Sequence, residues 1–220
     1  MNSKTKQLTT LAMLTAMAYV VGLYRINFMA AAPFLTYDAK DVIIVIGGLM
    51  FGPMAALVMS VTLAFLEMIT HSPSGIFGMI MNAIASAAFA CPAAYIYSRM
   101  RNLKGAVIGI AAGIVIATCT MLLWNYLIIP VFMINVTRAQ AASMLLPVIL
   151  PFNLIKTTLN GALVMMIYKP IVVVLQASKL YNPARSGLQT RNRFYIGIML
   201  TAAFIAISLI LVMLAMQGVF

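Results

Sequence analysis

The chain has 220 residues, 64% of them hydrophobic and 8% charged, with a mean hydropathy of +1.07. A water-soluble domain carries about 25% charged residues, so this composition excludes a soluble globule and points to an all-α integral membrane protein in a lipid bilayer. The formal charge is +11, from 14 Lys and Arg against 3 Asp and Glu. No basic stretch carries interleaved aromatics or a nucleic-acid fold signature, so nucleic acid is set aside as a partner. The excess is read instead as the crowding of Lys and Arg into cytoplasmic loops.

A helix needs about 20 apolar residues to cross a hydrocarbon core of ~30 Å. In chain order the apolar runs are 8–23, 42–51, 54–70, 76–97, 106–134, about 146–176, and 194–216. The second is short, contains Gly47 and Gly48, and ends at "FGP". Lys4 and Lys6 precede the first run. Arg99, Arg101 and Lys104 follow the fourth, and Lys179, Arg185, Arg191 and Arg193 follow the sixth. Placing all of these inside leaves only Arg25, Lys40 and Arg138 near the outside. The expectation is a multi-pass plasma-membrane protein, N-terminus cytoplasmic and, with seven crossings, C-terminus outside. The start also resembles a secretory signal, with "AAAP" at 30–33 as a cleavage-like site. Arg25 and Asn27 interrupt that pattern, and an uncleaved first helix is expected.

Two helix faces carry small residues four apart: Ala12 and Ala16 in the first run, and Gly105, Gly109 and Gly113 in the fifth. Such faces let two backbones approach closely. Each serves either packing within the chain or docking of a partner protein.

The chain lacks the phosphate-loop pattern G-x-x-x-x-G-K-[ST], and it lacks H-E-x-x-H and G-x-S-x-G. The single histidine, His71, lies in the short loop "THSPSG" and reads as solvated. One His and three acids make a metal cage improbable. Cys91 and Cys119 lie in apolar runs and read as packing residues. No enzyme chemistry and no cofactor are expected, so any ATP hydrolysis falls to another chain.

The polar residues inside apolar runs carry the functional signal. Within "PFNLIKTTLNGALVMMIYKP" (151–170), Asn153, Lys156, Thr157 and Asn160 share one helical stripe. A lysine at the centre of a membrane helix costs about 2.5–3.5 kcal/mol on insertion scales, and such residues generally face a cavity or a partner. Two readings stand: Lys156 snorkels to the outer interface, or the stripe walls a ligand site near the outer surface. Asn125 in "LLWNYLIIP", and Tyr37, Asp38 and Asp41 in "PFLTYDAKDV", fall at the same end of the chain's helices. Amides offer a donor and an acceptor together, which suits a neutral planar ring with C=O and N–H edges, and aromatic and methionine side chains suit its faces.

At these residues the chain resembles the riboflavin-specific S components of energy-coupling-factor (ECF) vitamin transporters. The resemblance lies in "PFLTYDAKDVIIVIGGLMFGP" (33–53), "HSPSGIFGMIMNAIASAAF" (71–89), "WNYLIIPVFM" (124–133) and "LLPVILPFNLIK" (145–156). With the Ala12/Ala16 pair it covers about residues 5–180. It implies a six-helix S-component-like bundle that captures riboflavin from outside and works with a membrane coupling (T) subunit and two cytoplasmic ATPases. Tyr37, Asp38, Asn125, Asn153 and Lys156 would bind riboflavin, and Ala12 and Ala16 would meet the coupling subunit. The loaded protein would then topple in the membrane to release its vitamin inside.

The chain departs from that pattern at its end. The expected division is a six-helix domain over 1–177, a basic cytoplasmic linker over 178–193 and an additional C-terminal membrane helix over 194–220, which could hinder toppling. Two alternatives remain at this point: the same scaffold holding another vitamin or heterocycle, or a stand-alone ion-coupled transporter in which Glu67, Asp38 and Lys156 relay protons.

Overall fold

A computed structural model describes residues 3–29, 32–70, 75–132, 136–177 and 192–217. Residues 178–191 of the basic linker, His71 and Ala30–Ala31 of the cleavage-like site lie outside them. The described residues are almost wholly helical. In chain order the helices are α1 (Ser3–Gly22), α2 (Lys40–Phe51), α3 (Pro53–Thr70), α4 (Gly75–Met100), α5 (Leu103–Phe132), α6 (Arg138–Met144), α7 (Leu150–Ala177) and α8 (Asn192–Met216). A π-helical turn, Leu145–Ile149, joins α6 to α7.

Among the described residues, five helical stretches are long and apolar enough to cross a membrane: Pro53–Thr70, Gly75–Met100, Leu103–Val131, Arg138–Pro170 and Tyr195–Met216. The first two sequence runs fall short for different reasons. α1 has 20 residues, but its first turns are polar, with Lys4, Lys6 and Gln7. α2 has 12 residues, about 18 Å at 1.5 Å per residue. Its residues from Lys40 to Met50 are all buried. A helix that is apolar all round is one enclosed on all sides, and α2 is enclosed by α1, α3, α4 and α7. It is therefore the central post of the bundle.

The turn between α2 and α3 is set by Gly52, whose φ of +100° is one that side-chain-bearing residues rarely adopt. α4 and α5 lie closest together. A Cβ on Gly109 would meet the Ala93 carbonyl oxygen at 2.7 Å, and one on Gly113 would collide with the Phe89 carbonyl. The glycine face of α5 is thus spent on packing within the chain. The Ala12/Ala16 face is not: both alanines are exposed, while Leu14 and Ala18 on the other side of α1 are buried.

The segment entering α7 carries detail that hydropathy alone does not signal. Thr137 caps α6 in a reciprocal arrangement with Gln140. Pro147, which has no N–H to donate, then falls in the π turn. α8 packs on α7, where the Tyr195 hydroxyl donates to the Met166 carbonyl at 3.3 Å. At its far end Gln217 Nε2 donates to the Asn27 carbonyl at 2.8 Å.

Candidate ligand-binding site

Residues 23–29 and 32–39 cross one end of the bundle. Ile26 and Tyr37 pair as a two-bond antiparallel bridge, at 2.9 and 2.8 Å. The Asn27 amide donates to the carbonyls of Pro33 and Leu35 at 2.9 and 3.0 Å. These bonds shape the segment into a cover. Beneath it lies a cavity of about 180 Å³ walled by the cover, the first turn of α2, and parts of α4, α5 and α7. Its flat apolar surfaces come from Phe34, Met81, Met121 and Phe152. Its polar groups are Arg25, Asp38, Asp41, Asn82, Asn153 and Lys156, with hydroxyls from Thr36 and Thr157.

All three acidic residues of the chain gather around this end. Lys156 Nζ donates to Asp38 Oδ2 at 3.0 Å, and Lys40 Nζ lies 3.8 Å from the same oxygen. Lys40 also bonds both Glu67 oxygens, at 2.8 and 2.6 Å. Asn82 donates to Glu67 at 3.0 Å, and Arg25 stands 3.8 Å from it. The Ser86 hydroxyl donates to Asp41. Three cations and three carboxylates thus share this end of the bundle, with Asp38 and Glu67 in ion pairs and Asp41 held by the Ser86 hydroxyl. Removing charges from water is costly unless they are paired, and the ion pairs of Asp38 and Glu67 meet that condition inside a membrane bundle.

Two titrating groups lie in the covering segment. Burial alone would raise the Asp38 carboxyl, but the Lys156 and Lys40 ammoniums outweigh burial and hold it below the usual carboxylate range. Burial, reinforced by the Asp38 and Asp41 carboxylates, pushes the Tyr37 phenol well above its ordinary value, so it stays a neutral donor. Asp38 Oδ1 is buried without a hydrogen-bond partner among the described residues. A buried acceptor in that state awaits a donor.

Of the residues singled out from the sequence, Asp38, Asn153 and Lys156 line the cavity. Asn153 Nδ2 donates to the Ile149 carbonyl at 2.8 Å, which leaves Oδ1 and the second amide N–H for further hydrogen bonds. Tyr37 is buried beside the cavity, its hydroxyl donating to Asn160 Oδ1 at 2.9 Å. Asn160 in turn donates to the Asp38 carbonyl at 3.3 Å. Tyr37 therefore supports the Asp38 backbone from behind. Asn125 is buried one helical turn beyond Met121, to whose carbonyl its amide donates at 2.7 Å. Neither Tyr37 nor Asn125 is part of the cavity wall. Asp41, placed at this end by the sequence, also lines it, as do Arg25 and Asn82, which were not singled out as ligands. Asn82, an amide alone in the apolar stretch "GMIMNAIA", was a signal of the same kind as Asn153.

Residues 6–168 match the family described as ECF transporter, substrate-specific component. This chain belongs to that family. It is 28% identical over 181 residues to the riboflavin transporter FmnP of Bacillus subtilis (strain 168), covering 79% of this chain and 93% of that one. It is 26% identical over 176 residues to the riboflavin transporter RibU of Staphylococcus aureus (strain TCH60), covering 78% and 93%. A solved S component of a bacterial ECF transporter superposes with a TM-score of 0.66 at 26% identity, over 79% of this chain and 99% of its own. This S component therefore has the family's all-helical membrane fold. The family match ends before α8.

Proposed function

We propose that this S component binds riboflavin and delivers it inward as part of an ATP-driven importer. The observation that carries the reading is the cavity beneath residues 23–29 and 32–39. It pairs flat apolar surfaces with a buried carboxylate oxygen that lacks a donor, an amide and an ammonium. An isoalloxazine ring has matching parts: a flat apolar face, an imide N–H and ring carbonyls. In this reading Asp38 Oδ1 accepts from the ring N–H, while Lys156 and Asn153 address the polar edge. Phe34, Phe152, Met81 and Met121 contact the faces. Tyr37 acts through Asn160, and Asn125 acts from the neighbouring turn. The relatives named as riboflavin transporters support this choice of ring over other heterocycles.

Ligand pockets of drug size occupy about 300–1,000 Å³, and the cavity measures about 180 Å³. The cover must therefore move outward to admit a three-ring solute. Its bridge at Ile26 and Tyr37 is a short pairing that can open without unfolding a helix.

The loop charges favour the N-terminus inside and the cavity end outside. The exposed Ala12/Ala16 face offers a close-approach surface for a membrane coupling subunit, with two ATPases supplying the energy. α8 leaves that face uncovered, which favours assembly in spite of the added helix. The test is uptake of riboflavin by cells expressing this chain with and without coupling and ATPase subunits. Uptake only in their presence supports the reading. Uptake by this chain alone, abolished when the proton gradient is collapsed, overturns it in favour of an ion-coupled carrier.

A further inference from the structure

α8 meets the bundle along an apolar groove of about 340 Å³. Three helices wall it, each with positions i, i+3, i+4 and i+7. These are residues 107–114 of α5, 158–165 of α7 and 198–205 of α8. Seven residues of helix rise about 10 Å, which sets the groove's length. Its walls are aliphatic apart from Gly161, the Met165 thioether and the hydroxyls of Thr158 and Thr201. At its base the bundle is closed, since a Cβ on Gly161 would meet Ile110 Cγ2 at 2.7 Å. The rim is open, with Val107 41% and Ile205 38% exposed. The groove therefore faces the surrounding hydrocarbon, where an unfilled gap forfeits dispersion contacts on both sides.

The two ends of the groove differ in charge. Lys104 is exposed one turn before Val107. Lys169 lies one turn past Met165, with Nζ 4.6 Å from the centroid of the Tyr195 ring. Tyr195 lies one turn before Ile198, so the stripes of α5, α7 and α8 end together on a rim that carries two cations. One turn beyond the other end stand Ala117, Leu154 and Ser208 with Leu209, none of them charged.

We propose that this groove holds an acyl chain of an anionic phospholipid whose phosphate sits between Lys104 and Lys169. The combination of an aliphatic slot with cations at one mouth matches a molecule with one apolar tail end and one anionic end. The lipid would seal α8 against α5 and α7. This site lies outside the cavity at the other end of the bundle and does not depend on what that cavity binds.

The test is native mass spectrometry of the full chain released from detergent with added phosphatidylglycerol or phosphatidylcholine of identical acyl chains. The expected result is severalfold greater retention of phosphatidylglycerol. The Lys104→Gln/Lys169→Gln double variant should lose that preference, and Ala111→Phe, which fills the slot from an exposed position, should lower retention of both lipids. Variants are compared only if gel filtration shows them monodisperse, and Thr201→Phe replaces Ala111→Phe if the latter aggregates. Equal retention of the two lipids overturns the proposal. So does a lysine effect without any effect of filling the slot, which would mark loose surface attraction. A lipid-independent dimer disrupted by Ala111→Phe would assign the groove to a second copy and also overturn it.

Discussion

Lys156→Met removes one ammonium from a buried cluster whose members are 5% (Asp38) and 13% (Lys156) exposed at the side chain. At an effective dielectric of 20, charges 3.0 Å apart attract by about 5.5 kcal/mol, and the Lys40–Asp38 separation of 3.8 Å gives about 4.4 kcal/mol. Breaking a buried pair by removing one partner costs about 3–5 kcal/mol after reorganisation. Lys40 remains beside Asp38 in the variant but is shared with Glu67, so a loss of about 3 kcal/mol is expected. Asp38→Asn alone takes the ion-pair partner from Lys156, while Lys40 keeps Glu67, and should also destabilise. The Asp38→Asn/Lys156→Met double variant removes both members and should lose clearly less than the sum of the singles. Equilibrium unfolding in mild detergent, followed by helical circular dichroism, measures all three. Additivity within about 0.5 kcal/mol would refute the reasoning, because the two side chains would then not be coupled.

Other expectations follow from the same geometry. Asn153→Leu should leave the protein folded and weaken riboflavin binding by about 1–3 kcal/mol, roughly tenfold or more in Kd; flavin fluorescence titration reads this, and an unchanged Kd removes Asn153 from the site. Asp38 has a folded-state pKa below its unfolded value near 3.9, so its contribution to stability is complete above that value and is lost as pH falls further, through the folded pKa. The melting-temperature gap between the wild type and Asp38→Asn should therefore hold constant from pH 7 to 5 and close only below about pH 4; a gap closing near pH 6 would contradict the assignment. Ala12→Trp should spare riboflavin binding and reduce co-purification with the coupling subunit, and intact assembly would dissociate that face from docking. Gly113→Leu drives a side chain into the Phe89 carbonyl and should destabilise by at least about 1–3 kcal/mol, seen as a lower unfolding midpoint.

The long spans were legible because hydropathy registers length and composition directly. α2 was legible only as a weak crossing. Its true place as a buried post depends on α1, α3, α4 and α7 closing around it, which no local pattern encodes. The capped α6 and the π turn before α7 were hidden inside one apolar stretch. Small-residue spacing identified two close-approach faces but could not assign them: α4 occupies the α5 glycines, while the α1 alanines face outward. At the site, rarity was the informative signal. With so few acids in the chain, Asp38 stood out, as did a lysine beside an amide in an apolar helix. The pairing of Lys40 with Glu67 and of Asp41 with Ser86 was not legible, because those partners lie 27 and 45 residues apart and meet only through the packing of α2 with α3 and α4. Tyr37 and Asn125 were picked out by polarity, which does not distinguish a side chain facing the cavity from one bonded behind its wall.

The most direct test of the account is titration of the purified protein with riboflavin in detergent, monitored by flavin fluorescence and by emission of Trp124, the chain's single tryptophan. Saturable quenching of both signals at one riboflavin per chain is expected, with a flavin absorption band that stays with the protein through gel filtration. A protein that leaves riboflavin fluorescence unquenched, while remaining helical and monodisperse, would contradict it.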